Sequence, residues 1–323
     1  EAPEPFVYPT IETPREAEAP DWEDDPRAPR MLLKGFELYG ITERPEHDIT
    51  LEKIQRLIAA ETEVMIPPGN DRLFSISMFE HIAQAITRYY RKRGYFLARA
   101  YIPEQKVKNG IVKLQVVETW LDKVVYDGNT LYKGETMDVL FEDLIGEPIY
   151  FENLEDAMFK LNEYPGLTAS AIFGPGTKPG SAAIVMRTRE VPSENRVSMD
   201  NYGSAFTGEN RLLYNHKSNN LFDSADQLNV DLLTSFSPTN NQYLGVNYVQ
   251  PVFKSLFKAG GGLAYNQFTV GEELEDLDIN GDSIILNGFV DYRAIRSRNH
   301  RLNFIADLSL KQALIDLVYQ VEE

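Results

Sequence analysis

The chain has 323 residues, 43% of them apolar and 25% charged, with 32 Lys and Arg against 49 Asp and Glu and no cysteine. A net charge of −17 argues against nucleic acid as a partner, because phosphate binding calls for clustered cations. The missing cysteine excludes disulfide frameworks and cysteine-based zinc sites. No apolar run reaches the roughly eighteen residues of a membrane helix, which leaves a membrane β-barrel open, since a barrel strand turns only every second side chain to lipid. The length suits two or three domains.

Residues 1–30 are acidic and carry seven prolines, Pro3, Pro5, Pro9, Pro14, Pro20, Pro26 and Pro29. Such a stretch holds no helix and has little to bury, so it reads as an extended linker, with a partner-binding tail as the alternative. It opens without a basic, apolar leader, so any secretion signal is expected to have been removed already.

A globular pattern begins at Met31. Residues 32–38 read as a strand, and Thr50 caps a helix with Leu51, Ile54, Leu57 and Ile58 on one stripe. Ser77-Met78-Phe79-Glu80 reads as a capping box for a second helix. Phe79, Ile82, Ala83, Ile86 and Tyr90 form its buried face and Gly94 ends it. Strands at 96–102 and 111–118 follow, turning at Asn109-Gly110. The order then recurs. A strand at 121–126 leads to a helix capped by Thr136 through Met137, Leu140, Phe141 and Leu144. A second helix is capped by Asn153 through Leu154, Met158 and Leu161, and strands at 168–173 and 182–189 complete the unit. Two β-α-α-β-β units are an internal repeat, expected as domains over 31–118 and 119–191.

From 192 onward only strand patterns remain, at 196–202, 211–218, 226–236, 243–250, 257–268, 283–292 and 301–311. Leu228, Val230, Leu232 and Phe236 share one parity, and Gln227, Asn229, Asp231 and Ser235 share the other. Side chains alternate across a strand, so one face is apolar and one polar. On the polar parity lie Asn229, Asp231, Asn247, Asn287, Asp291 and Asp307, the candidate lining of a wet lumen. Leu213 and His216 break the pattern in their strand. Connections alternate between a near side, toward the small domains (219–225, 251–256, 293–300), and a far side (203–210, 237–242, 269–282). Tyr202, Tyr214, Tyr243, Tyr248, Phe257, Phe268 and Tyr292 sit near strand ends, where an aromatic girdle is expected. A soluble β-sandwich with one wet face is the competing reading.

Catalytic signals are lacking. His47, His81, His216 and His300 fall on separate elements, and neither a Walker sequence nor a dinucleotide fingerprint occurs. Asp276, Asp278, Asn280 and Asp282 have the opening spacing of a calcium loop, but Asn287 stands where the bidentate glutamate belongs. A solvated loop tip explains the same residues. No cofactor is expected.

Several stretches resemble one family in order along the chain. They are Tyr95-Phe96-Leu97-Ala98-Arg99-Ala100-Tyr101-Ile102-Pro103, then Asn153-Leu154-Glu155 through Leu161-Asn162-Glu163-Tyr164-Pro165-Gly166. Asp200-Asn201-Tyr202-Gly203 with Thr207-Gly208, and Arg296-Ser297-Arg298, complete the set. The chain resembles the outer-membrane transporters of two-partner secretion, the TpsB/ShlB/FhaC-like family, in which two POTRA (polypeptide-transport-associated) domains precede a barrel. The resemblance implies α+β POTRA repeats followed by antiparallel transmembrane β-barrel strands, of which residues 192–323 would be the first part. It implies no enzyme activity. It implies an outer-membrane protein with periplasmic POTRA domains that secretes an unfolded exoprotein without ATP, touching outer-membrane lipid and acting as a monomeric barrel. In POTRA folds the second strand of each unit is a sheet edge open to client strands, here Ala98, Arg99, Ala100, Tyr101 and Ile102, and Ser170, Ala171, Ile172 and Phe173. A proline at Arg99 is expected to remove one edge donor. Two departures stand out. The family's pore-loop motif Val-Arg-Gly-Tyr/Phe is missing and seven strands make less than half of its sixteen-stranded barrel, so the expectation is a piece of a larger chain. Residues 1–30 also show no pore-plugging helix. A barrel-assembly factor of the same superfamily remains an alternative.

Overall fold

The computed structural model describes residues 10–11, 27–66, 68–69, 71–236, 240–296 and 300–316. Most of the expected linker, and Ser297 and Arg298 of the turn at 296–298, lie outside these residues. Strand β1 (Thr10–Ile11) comes first, then β2 (Met31–Leu32) and β3 (Gly35–Tyr39). The first module continues through α1 (Leu51–Met65), β4 (Leu73–Phe74), α2 (Ile76–Arg91), β5 (Arg99–Tyr101) and β6 (Ile111–Val117). Its sheet has the order β3-β6-β5, with β3 parallel and β5 antiparallel to β6. Ile54, Ile82, Ile86 and Leu114 are fully buried between sheet and helices. Each contributes about 1.5–3 kcal/mol by leaving water.

The local chemistry explains the boundaries. The Thr50 hydroxyl accepts from Lys53 N, as its spacing predicts. Helix α2, however, begins two residues before the expected capping box. Ser75 is the N-cap: its hydroxyl accepts from Met78 N at 3.4 Å, and Met78 Sδ takes Ser75 N. Asn109 and Gly110 both have positive φ, the requirement of a primed hairpin turn. β5 spans only three of the seven expected residues, because Tyr95–Ala98 folds into a turn closed by Ala98 N on Tyr95 O.

The second module repeats the pattern with β7 (Trp120–Asp127), α3 (Gly134–Asp138), α4 (Phe151–Asn162), β8 (Leu167–Pro175) and β9 (Ser181–Glu190). β7 is parallel and β8 antiparallel to β9. The single helix expected from Thr136 is instead the short α3 and a 3-10 turn at Glu142–Leu144, since Leu121 takes Ile145 and Gly146 into its own bridge. Asn153 lies inside α4, whose N-cap is Tyr150. β1 adds to this sheet outside β8.

The rest is one antiparallel sheet of seven strands in sequence order. They are β10 (Ser193–Asp200), β11 (Asn210–Asn219), β12 (Gln227–Phe236), β13 (Asn241–Val252), β14 (Phe257–Thr269), β15 (Asn280–Arg296) and β16 (Arg301–Asp316). Register carries the sequence alternation across the whole wall. Val230, Val246, Leu263, Leu286 and Leu310 form one row, each partnered with the next. Four of the five are 36–61% exposed, and Val230 is half-buried. An exposed apolar row of this length marks a lipid-facing surface. No described helix is long and apolar enough to cross a membrane.

A near-side belt of rings follows, with Phe253, Phe257, Tyr292 and Phe304 in successive contact at 5.0–6.2 Å. Tyr243 and Phe268 do not join a girdle. Tyr243 pairs with Leu233 and Phe268 with Asn241, which places both on the polar face. Their strand-end positions gave no warning, because parity and not position decides the face.

Candidate functional site: two sheet edges and a polar wall

In the first module the outward main chain of β5 can be assigned. Lys113 N and O on β6 point toward the β5 side, where the Gln105 amide takes both at 2.8 Å. By alternation Gln115 and Val117 point the same way and bond Tyr101 and Arg99. Ala100 therefore faces away from the sheet, and its N–H donates to Thr87 Oγ1 of α2 at 2.9 Å. This corrects the expected role of Arg99: its N–H belongs to the internal ladder, and a proline there would break the sheet, not the outer edge. Among the five residues 98–102, Ala98 and Ala100 are buried, Arg99 and Tyr101 are exposed, and Ile102 is half-buried. Beside them, between β5 and α2, runs a groove of about 1780 Å³. Ala83, Leu97, Ala100 and Ile102 are among its lining residues.

The second edge is in a different state. Ala169 is pinned by Asn162 of α4, whose Oδ1 accepts from Ala169 N at 2.9 Å while Nδ2 donates to Ala169 O at 3.1 Å. One pair further on, β1 occupies the edge in parallel, with Thr10 opposite Ser170 and Ile11 opposite Ala171. Ile11 is 9% exposed and joins the module's core. Ile172 pairs toward β9 with Val185, and the Phe173 ring lies against Phe96 of the first module, centroids 5.2 Å apart. Residues 170–171 are thus covered by the chain itself.

Aromatic packing joins the modules. His47 stacks on Tyr150 at 4.2 Å and bonds the Tyr95 hydroxyl at 2.6 Å. Burial pushes the Tyr95 phenol up to about 12, against the opposing pull of Arg44. Gly94, at φ +90°, leaves room for the Tyr150 ring, which a Cβ would meet at 2.5 Å.

The polar face of the wall brings the candidate lumen residues into register. Asn229 pairs with Asn247, Asn287 with Ser309, and Lys258 with Asp291. Asp307 pairs with Phe289 on the same face, where Gly260, opposite Phe289, clears its ring. Asn215, not singled out in the sequence, ties two of them: its Nδ2 donates to Asn229 Oδ1 at 2.7 Å and to Asp231 Oδ1 at 2.6 Å. His216 falls on the apolar face opposite Val230, near the end of its strand, and bonds Asn195 at 2.8 Å.

The near-side turns dock on the second module. Ala225, 1% exposed, sits in that module's core, and Asn220 Nδ2 donates to Leu131 O at 2.8 Å. Lys254 reaches Glu142 and Asp143 at 2.7 Å. Buried Glu163, just past α4, pairs with Arg293 and lies 3.4 Å from Arg296 Nε. Lys258 Nζ donates to its carbonyl at 3.3 Å.

At the acidic loop, Asn280 bonds Thr269 and Asp278, and Asp282 enters β15 opposite Gln267. The side chain of Asp276 lies outside the described residues. Among the described residues no three His, Asp or Glu side chains gather to hold a metal.

Residues 35–119 match the model of the ShlB-type POTRA domain, and residues 180–314 match that of the haemolysin secretion/activation proteins ShlB/FhaC/HecB. Over these two stretches the chain is similar to the outer-membrane transporters of two-partner secretion. Among its relatives, the heme/hemopexin transporter protein HuxB of Haemophilus influenzae (strain 86-028NP) is 26% identical over 232 residues, 71% of the chain and 41% of HuxB. The outer membrane transporter CdiB of Dickeya dadantii is 27% identical over 158 residues, 49% of the chain and 28% of that protein. The chain thus spans less than half the length of the curated relatives it matches. In fold it is similar to CdiB from Escherichia coli, with a TM-score of 0.67 at 18% identity over 95% of the chain and 55% of CdiB. BamA from Haemophilus ducreyi gives 0.50 at 13% identity over 88% of the chain and 52% of BamA.

Proposed function

We propose that this transporter captures an unfolded exoprotein in the periplasm by strand addition to β5 and delivers it to the polar face of its barrel wall. The outward main chain of Ala100 beside the β5–α2 groove supports this most directly. Its N–H has one present partner, the Thr87 hydroxyl, which a client strand can replace. Main-chain pairing needs no particular client sequence, and the groove beside it supplies side-chain contacts. In this reading Asn229, Asp231, Asn247, Asn287, Asp291 and Asp307 line the path across the membrane, where polar side chains hydrogen-bond an extended backbone in passing. Folding on the far side then makes the passage one-way, with no nucleotide spent. Residues 31–118 and 119–191 act as the receiving domains, and 192–323 as the first part of the barrel, which acts as a monomer.

The absence of cysteine allows a direct test. Tyr101→Cys places a single thiol on the outer strand, and Val64→Cys, 78% exposed on α1, serves as a distant control. An extended peptide carrying an activated thiol should label position 101 at least about tenfold faster than position 64, once each is corrected for its intrinsic thiolate reactivity. Equal corrected rates would remove the case for capture at this edge.

A further inference from the structure

The groove beside β5 is electrically polarised. α2 and β5 run in opposite directions, so Arg99 lies beside the C-terminal turn of α2 and Glu104 lies beside its beginning. Arg88, Arg91, Lys92 and Arg99 line one end, and Glu80 and Glu104 line the other. Four cations thus gather at one end of a groove on a chain whose net charge is −17. None of the four forms an ion pair with a carboxylate among the described residues. Arg91 Nε is buried without a hydrogen-bond partner, and Arg91 and Lys92 also border the neighbouring cleft that holds Glu46 and Glu152. The C-terminus of α2 carries about half a negative unit charge, too little to balance four cations. A buried donor without a partner and a set of unpaired cations are what a site for negative charge looks like before its ligand arrives.

We infer that the segment of client captured at β5 is acidic: an extended stretch with alternating carboxylate and apolar side chains, its carboxylates over Arg88, Arg91, Lys92 and Arg99. Apolar residues of the alternate parity enter the groove toward Ala83 and Leu97, and the backbone takes the outward groups of Ala100. The carboxylates of Glu80 and Glu104 repel the same charge at the opposite end, so the segment is held in one direction. The inference rests on strand capture at this edge and adds to it the chemistry of what is captured.

Three labelled probe peptides separate the possibilities, with valine alternating with glutamate, threonine or lysine. Each is titrated by fluorescence anisotropy into the full chain in detergent. The glutamate peptide should bind roughly tenfold more tightly than the threonine peptide at about 0.05 M salt, and the difference should close at about 0.5 M as the charges are screened. In the double variant Arg88→Glu, Arg99→Glu, two substitutions at positions outside the buried core, the lysine peptide should overtake the glutamate peptide. Equal binding of all three peptides would overturn the inference while leaving strand capture standing. Failure of all three to bind would take down both. Binding of the glutamate peptide only after removal of residues 1–26, which hold seven carboxylates between Glu12 and Asp25, would make the chain's own segment the occupant and overturn the assignment to a client.

Discussion

Replacing Glu163 by Gln should loosen the second module from the barrel wall. The carboxylate is buried, with a side chain 8% exposed against Arg293 at 18% and Arg296 at 7%. Breaking a buried pair by removing one partner costs about 3–5 kcal/mol, mostly because the remaining charge is stranded. Here the stranding is partial. Arg293 keeps Asp291 at 3.4 Å, and Arg296 keeps the carbonyl of Ser255. Glutamine also retains the volume, so about 2–3 kcal/mol is the expected loss, equivalent to a rise of roughly 30- to 150-fold in the undocked population. Native-state hydrogen exchange reads that population directly. The amide of Arg293, which bonds Leu256 O at 3.2 Å, should lose that factor of protection, while Leu114 in the first module should not change. A double variant Glu163→Gln, Arg293→Gln should cost at least about 1.5 kcal/mol less than the sum of its parts. Simple additivity would refute the claim that this pair holds the joint.

Other expectations follow from single contacts. Thr87→Val removes the acceptor of the Ala100 N–H, so strand capture at β5 should tighten several-fold while the module loses about 1 kcal/mol of stability. Asn162→Leu strips Ala169 of both edge bonds. It should cost about 1–3 kcal/mol in a denaturant titration, and unchanged stability would count against a structural role for that amide. Gly94→Ala forces a Cβ against Tyr150 at positive φ, and limited proteolysis between the modules should accelerate. The joint should also weaken in alkali. Tyr95 is protonated in the folded state up to about pH 12, against an unfolded value of about 10. The folded form therefore holds the extra proton between those values, and stability falls as pH rises from about 10 to about 12. Tyr95→Phe should make that limb of the curve shallower, the remainder coming from Tyr90, Tyr126, Tyr132 and Tyr164, which burial also pushes up.

The wall was legible because lipid on one side and water on the other impose a two-residue period on every strand, and Leu228–Leu232 or Leu302–Leu310 display it without help from context. The helices were legible by stripe but not by start. Ser75 outcompetes Ser77 as a cap because the Met78 sulfur sits over its amide, a contact no cap consensus contains. α3 was overestimated since Ile145 and Gly146 are claimed by Leu121. At the candidate edges the sequence located the strands but not their occupancy. Thr87, Gln105 and Asn162 act through backbone groups up to thirteen positions away, and only the folded chain brings them there. β1 gave no signal, being two residues within a proline-rich stretch.

That short parallel strand turns addition at Ser170–Ala171 into exchange. A newcomer has to wait for Ile11 to leave its pocket, so its rate of arrival levels off at high concentration at the speed of that departure. At Ala100, where only a hydroxyl steps aside, arrival should keep rising with concentration. The two modules would then take hold of a passing chain on different clocks, the first grasping quickly and the second more slowly.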